Sequence, residues 1–377
     1  MTLLQLRRGA LGAGLAGTVA CAIGAIWAPQ EFFAAWLAAY VFWLGVPLGA
    51  LALVEVHDLT GGRWALTVRP GLTASLLTLP LFILVFIPIF FFLPELYSWA
   101  RPDEAAYLPN TFYLDAPFFI GRFAGYFVIW LILAAIALLR SPLDGDGASG
   151  GLGAVSGIGL VLLAFTATFA AFDWVMSLEP HWFSTMFGLI VGSGQFTTGL
   201  CVVILVALMA KRMPAPGEGP PSDRFHDLGS ILLAVLLLWA YFEFMQFLII
   251  WEEDLRDEIG WYVKRLYGPW GSVMLTIVLG HFVVPFLALI WSPVKRSRGA
   301  LGAVCALVLV TGLIDVWWMV LPEFPGGFTW FAPVAAMGMG GLALALFLWR
   351  FERGLAKAER RIPAPRGVRF ERGVSHG

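Results

Sequence analysis

Charge is what this chain has least of. Asp, Glu, Lys and Arg make up 13% of its 377 residues, about half the roughly 25% of a soluble domain. Cysteine is almost absent as well. Cys21, Cys201 and Cys305 are the only three, far apart and each inside an apolar run. They read as buried structural thiols. No C-x-x-C pair, C-x-x-C-H haem-attachment motif or four-cysteine cluster set can be drawn from them. The chain therefore has no cysteines with which to hold c-type haem or an iron–sulfur centre, and no metal site is assigned to it. A basic surplus is missing too: 24 Lys and Arg stand against 25 Asp and Glu. With no basic domain and no nucleic-acid motif, a nucleic-acid partner is excluded.

What fills the chain instead is hydrophobic sequence, 59% of all residues. A membrane span needs about 20 mostly apolar residues. Ten stretches qualify, at roughly 10–28, 33–54, 73–94, 117–139, 154–173, 183–210, 228–251, 270–291, 300–320 and 328–350. Lipid offers backbone groups no partner, so the spans are expected to be helices and the fold class is an all-α polytopic membrane protein. The integral domain covers residues 1–350, followed by a basic tail at 351–377. The first span also resembles a signal peptide, with a basic start and small residues, and is read as a retained helix. No connection is long enough for a soluble catalytic domain. "LDGDGASGGLG" (143–153) and "RMPAPGEGPPSDR" (212–224) are flexible linkers, and the tail is expected to be partly disordered.

Ten spans put both termini on one side. Of the Lys and Arg residues, 19 fall on that side and 5 on the other: Arg101, Arg122, Arg256, Lys264 and Arg265. Such a bias predicts that both termini are cytoplasmic. Acids lean the opposite way, leaving the outer side with an excess of nine negative charges that favours positively charged partners.

The chain also repeats itself. "FDWVMSLEPHWF" closes the fifth span and "IDVWWMVLPEFPGGFTWF" the ninth. Both place Asp near the outer end of a helix, then Trp, then Pro beside Glu. Spans two to five and six to nine are read as two related four-helix bundles in the same orientation, with spans one and ten as flanks. Parallel repeats, and the lack of broken, Gly/Pro-interrupted helix pairs, weigh against the inverted repeats of many secondary transporters.

Ionisable groups at or inside a membrane are costly, so each is a functional candidate. Asp173, Glu179 and His181 form the densest set, between the fifth and sixth spans. A histidine beside carboxylates there can pass protons near neutral pH, or the set can cap and join helices. Glu243 lies eight residues before Trp251, about 12 Å inside the outer end at 1.5 Å per residue. Gln246, three residues on, is expected to share its face and hydrogen-bond to it. Glu243 is thus either a proton relay or a neutral interhelical hydrogen bond. His281 is the one histidine clearly in mid-span, at nearly the depth of Glu243. A b-type haem would lack its second axial ligand there, leaving a relay or a structural role. Arg122, near the outer end of the fourth span, pairs with Asp173 or Asp115, or orients a quinone head group. Asp315, the echo of Asp173, joins these candidates.

"FDWVMSLEPHWFSTMFG", "WAYFEFMQFLIIWEEDLRDEIGWYVKRL", "HFVVPFLALI" and "HDLTGGRWA" resemble the smaller ten-span membrane component of bacterial alternative complex III, a quinol:cytochrome c oxidoreductase. That component is related to the polysulfide reductase membrane-anchor family. The likeness runs over most of residues 30–325. "WEEDLRDE" departs from the family's D-L-P-x-E pattern, and Glu243 stands where some relatives carry a small residue. The resemblance implies a ten-helix protein of the bacterial inner membrane with no redox centre of its own. It implies partners: a second ten-span subunit, an iron–sulfur protein and a multihaem cytochrome c, which hold the clusters and haem c. Quinol oxidation is assigned to the sister subunit, proton conduction has been suggested for the component this chain resembles, and quinone contact in this chain stays open. Two other readings compete. One is a secondary transporter with a midplane Glu/His site; the other is a quinone-site protein in its own right, using Asp173 and His181.

Overall fold

The computed structural model describes residues 3–62, 64–105, 108, 111–140, 152–209 and 221–359. Among them there is no strand, and ten helices are long and apolar enough to cross a membrane. The chain is an all-α, multi-pass membrane protein. The spans are α1 (Leu3–Trp27), α2 (Pro29–Thr60), α3 (Thr67–Phe91), α4 (Ala116–Arg140), α5 (Leu152–Trp174), α6 (Phe187–Met209), α7 (Pro221–Glu253), α8 (Pro269–Ile290), α9 (Arg298–Val320) and α10 (Phe331–Glu359). Proline opens α2, α7 and α8, where its missing N–H costs nothing.

Helices run past the apolar stretches that the sequence marks out. The second span, expected at 33–54, extends over Pro29–Thr60. The tenth continues through Glu359, so the first nine residues of the expected tail are helical; 360–377 lie outside the described residues. Most of the two linkers also lies outside them, but the last four residues of 212–224 already belong to α7.

Two spans are interrupted, against the expectation of unbroken helices. In α3 the helix stops at Leu76 and restarts at Leu79. Pro80 cannot donate to the Leu76 carbonyl and its ring crowds that position. In α8 a π-helical turn occupies Val278–Val283. Pro285 does the same there to the His281 carbonyl, and the turn widens to accommodate it. The breaks fall in the second helix of one bundle and the third of the other. They are not the matched pair typical of an inverted-repeat transporter.

The two bundles meet along α2 and α6, which run parallel. A methyl group on Gly49 would sit 2.4 Å from the Gln195 carbonyl oxygen, and one on Gly199 2.8 Å from the Gly49 backbone. The helices touch backbone to backbone, as small residues permit in membranes. Around this seam the last helix of each bundle, α5 and α9, packs on both α2 and α6. That is the arrangement two parallel repeats produce about an axis along the membrane normal. Helices α1 and α10 flank the pair and run antiparallel, with Gly14 against Gly341 and Gly17 against Gly338. Both ends of the described chain therefore lie at one face of the molecule, the terminal face. A surface helix, Arg256–Leu266, lies on the opposite, far face and turns into α8 at Gly268, whose φ of 70° suits glycine.

Candidate functional site

The far end of the first bundle holds Asp173. Arg122 grips its carboxylate with two hydrogen bonds of 2.9 Å, from Nε and Nη2, the bidentate geometry that makes arginine pairs strong. Tyr126 donates a third at 2.7 Å. Arg122 also donates to the Tyr113 carbonyl and lies between the Tyr113 and Phe118 rings. Of the partners the sequence leaves open for Arg122, the structure selects Asp173. The Asp173 side chain is 1% exposed, and its partners all come from within the bundle. Next to it, Trp174 packs edge-on to Tyr40 and Trp130.

Glu179 and His181 are not gathered around Asp173. His181 is exposed. Glu179 pairs with Lys264 of the surface helix, which also binds Glu323 at 3.0 Å. These are the two glutamates beside proline in the repeated motifs, so one lysine joins equivalent loops of the two bundles. Burial alone would lower the Lys264 pKa, but the two carboxylates outweigh it and hold it raised. Arg265, fully buried, donates to Glu323 at 2.7 Å and to the Trp318 and Met319 carbonyls. The far face is thereby clamped. The neighbouring Trp182 stacks on Trp261 at 4.6 Å.

The second bundle differs. Glu243 of α7 and Asp315 of α9 line one cavity of about 350 Å³ and interact electrostatically across it. The remaining wall is apolar and aromatic, including Trp239, Phe247, Phe282 and Trp318, with Tyr262 as a further polar group. Burial, together with Glu243 nearby, lifts the Tyr262 phenol above its ordinary pKa. Phe244 and Val278, also in the wall, are exposed on the flank of the bundle, so the cavity opens sideways toward lipid. Among the described residues, no Lys or Arg lines it. Glu243 as a residue is half-buried, but its Oε1 is closed off and has no hydrogen-bond partner. The expected bond from Gln246 is not made. Gln246 accepts from Ser184 at 2.6 Å and donates to Tyr262 at 3.1 Å, so groups from other segments win it from its helical neighbour.

Asp315 also lines a second, smaller chamber against the seam between the bundles, and His281 faces it there. His281 is 2% exposed, carried on the π-turn, and set edge-on to Trp239 with centroids 4.5 Å apart. Its Nδ1 lies 3.0 Å from Thr311 Oγ1. The Thr311 hydroxyl donates to the Leu307 carbonyl at 2.9 Å, so at His281 it accepts, and Nδ1 is assigned the proton. The other ring nitrogen, Nε2, is buried without a partner. Glu243, Asp315 and His281 thus come together around the inner face of α9. Asp173, Arg122 and His181 belong elsewhere. The sequence places Asp315 near a helix end; in fact α9 runs on to Val320 and Asp315 is 4% exposed inside the bundle. Nothing in its motif distinguishes it from Asp173, because the difference lies in the helix opposite.

Among the described residues, no set of three or more His, Cys, Asp or Glu side chains is placed to hold a metal ion. No protein-family model matches the chain, and no curated protein matches it significantly.

Proposed function

We propose that this chain is a membrane subunit of a respiratory quinol:cytochrome c oxidoreductase of the alternative complex III kind, and that its own part is to move protons. In this reading it sits in the bacterial inner membrane with both termini cytoplasmic, beside a second ten-span subunit. An iron–sulfur protein and a multihaem cytochrome c carry the electrons. The complex assignment rests on the sequence motifs. The proton role rests on one observation: two carboxylates share a mid-bundle cavity whose described wall holds no cation. Keeping both ionised there would cost several kcal/mol. A proton held by the pair removes that cost, and the site can then take up or release it. Tyr262 and His281 extend the set of proton-carrying groups on either side.

Two measurements test the reading. Purified in mild detergent from its own membranes, the protein should migrate with haem- and iron–sulfur-containing partners; migration alone would overturn the complex. In proteoliposomes of that complex, Glu243→Gln, Asp315→Asn and His281→Ala should each lower protons moved per electron by at least about twofold while quinol oxidation continues. Ratios equal to wild type in all three would remove the proton role. The transporter reading is weakened by the parallel bundles and by the unmatched positions of the two helix breaks.

A further inference from the structure

The small chamber between the bundles is lined by His281, Asp315, Gln195 and Thr198 among apolar neighbours, and its volume is about 20 Å³. A void needs roughly 10–15 Å³ to hold one water molecule, and two to four polar partners to keep it. Both conditions are met. His281 supplies the stronger reason. Its Nε2 is an acceptor without a donor, on a side chain only 2% exposed, and an unmatched buried polar atom is destabilising unless something fills its bond. Among the described residues, no protein group does so. The Thr198 hydroxyl is committed to the Gly194 carbonyl at 2.9 Å, which leaves its oxygen free only to accept.

We infer that this chamber is a binding site for a single water molecule, which donates one hydrogen bond to His281 Nε2 and meets Asp315 with its other polar valences. Gln195 and Thr198 from α6 complete its shell. The water joins α8 and α9 to the seam helix α6. It also makes Asp315 the shared wall between two polar compartments: the lipid-side cavity with Glu243, and the chamber with His281. A proton on the carboxylate pair then has a hydrogen-bonded way inward, from Asp315 through the water to the imidazole. The water site itself stands on geometry alone; its use as a proton step rests on the function proposed above.

The site is tested by cryo-electron microscopy of the purified complex, at a resolution that shows ordered water elsewhere. One peak is expected within hydrogen-bond distance of both His281 Nε2 and an Asp315 oxygen. In ¹⁵N-histidine NMR, Nε2 should report as an unprotonated nitrogen accepting a hydrogen bond. Thr198→Val, which keeps the side-chain shape, should weaken the peak, and His281→Phe should abolish it. Because His281→Phe could fail to assemble, Thr198→Val and the wild-type density carry the test without it. An empty chamber in wild type, or a peak ringed by oxygens alone and out of reach of Nε2 (a cation), would overturn the inference. The two proposals separate cleanly. Water present with an unchanged proton ratio in Asp315→Asn would remove only the proton role, and a lowered ratio with a dry chamber would remove only the water.

Discussion

Asp173 and Asp315 are the same residue in two echoed motifs, yet they meet opposite surroundings. Asp173 is neutralised by a bidentate arginine and a tyrosine. Asp315 faces another carboxylate. Removing one member of a buried ion pair strands the other charge, at roughly 3–5 kcal/mol. Asp173→Asn is therefore expected to destabilise the protein by about that amount, because Arg122 stays buried. Asp315→Asn strands no cation, and its effect on stability is expected to stay within about 1 kcal/mol. Thermal melts of the two variants in one detergent check the contrast; equal losses would mean that the aspartates still do the same work. The sequence makes both residues candidates, since acids in apolar runs stand out. It cannot say which is paired, because Arg122 lies 51 residues from Asp173 and on a different helix. Gln246 shows the same limit from the other direction. Its spacing from Glu243 is right for one helix face, but Ser184 and Tyr262 reach it from segments that periodicity cannot place.

At the scale of elements, the contact between α2 and α6 leaves no room for a side chain at Gly49. Gly49→Ala would place a methyl 2.4 Å from the Gln195 carbonyl and force the bundles apart, at an expected cost of about 1–3 kcal/mol. Gly194→Ala, on α6 but with no atom within 4 Å of the added carbon, should fall within about 0.5 kcal/mol of wild type. Melting temperatures of the pair check how closely the two backbones approach; equal values would mean a looser seam. The clamp on the far face gives a second prediction. Lys264 has a raised pKa in the folded protein, so its contribution is fully present below the ordinary lysine value of roughly 10.4. It is lost as pH climbs through the raised value. Wild type should lose thermal stability over that alkaline window by more than Lys264→Gln does. Parallel pH losses in the two would show that the Glu179–Lys264–Glu323 link adds nothing. Helix number was legible from apolar length. The π-turn at 278–283 was signalled only by Pro285, which marks an irregularity without saying that the turn would widen and carry His281.

For the whole molecule, the antiparallel packing of α1 on α10 brings both ends of the described chain to one face. Charge addresses which face meets the cytoplasm. With 19 of 24 Lys and Arg on the terminal side, insertion with that side inward is favoured. The far face, rich in acid, would then meet the outer compartment and attract basic partners there. The three native cysteines are all buried, so a thiol added at the surface can be read against a low background. His181→Cys lies on the far face and Gly354→Cys near the terminal end of α10; both positions are exposed. In intact spheroplasts, a membrane-impermeant maleimide should label His181→Cys at once and Gly354→Cys only after the membrane is opened. The opposite pattern would invert the orientation, and with it the side from which Glu243 and Asp315 exchange protons. Labelling of both before opening would contradict the placement of His181 and the chain ends on opposite faces.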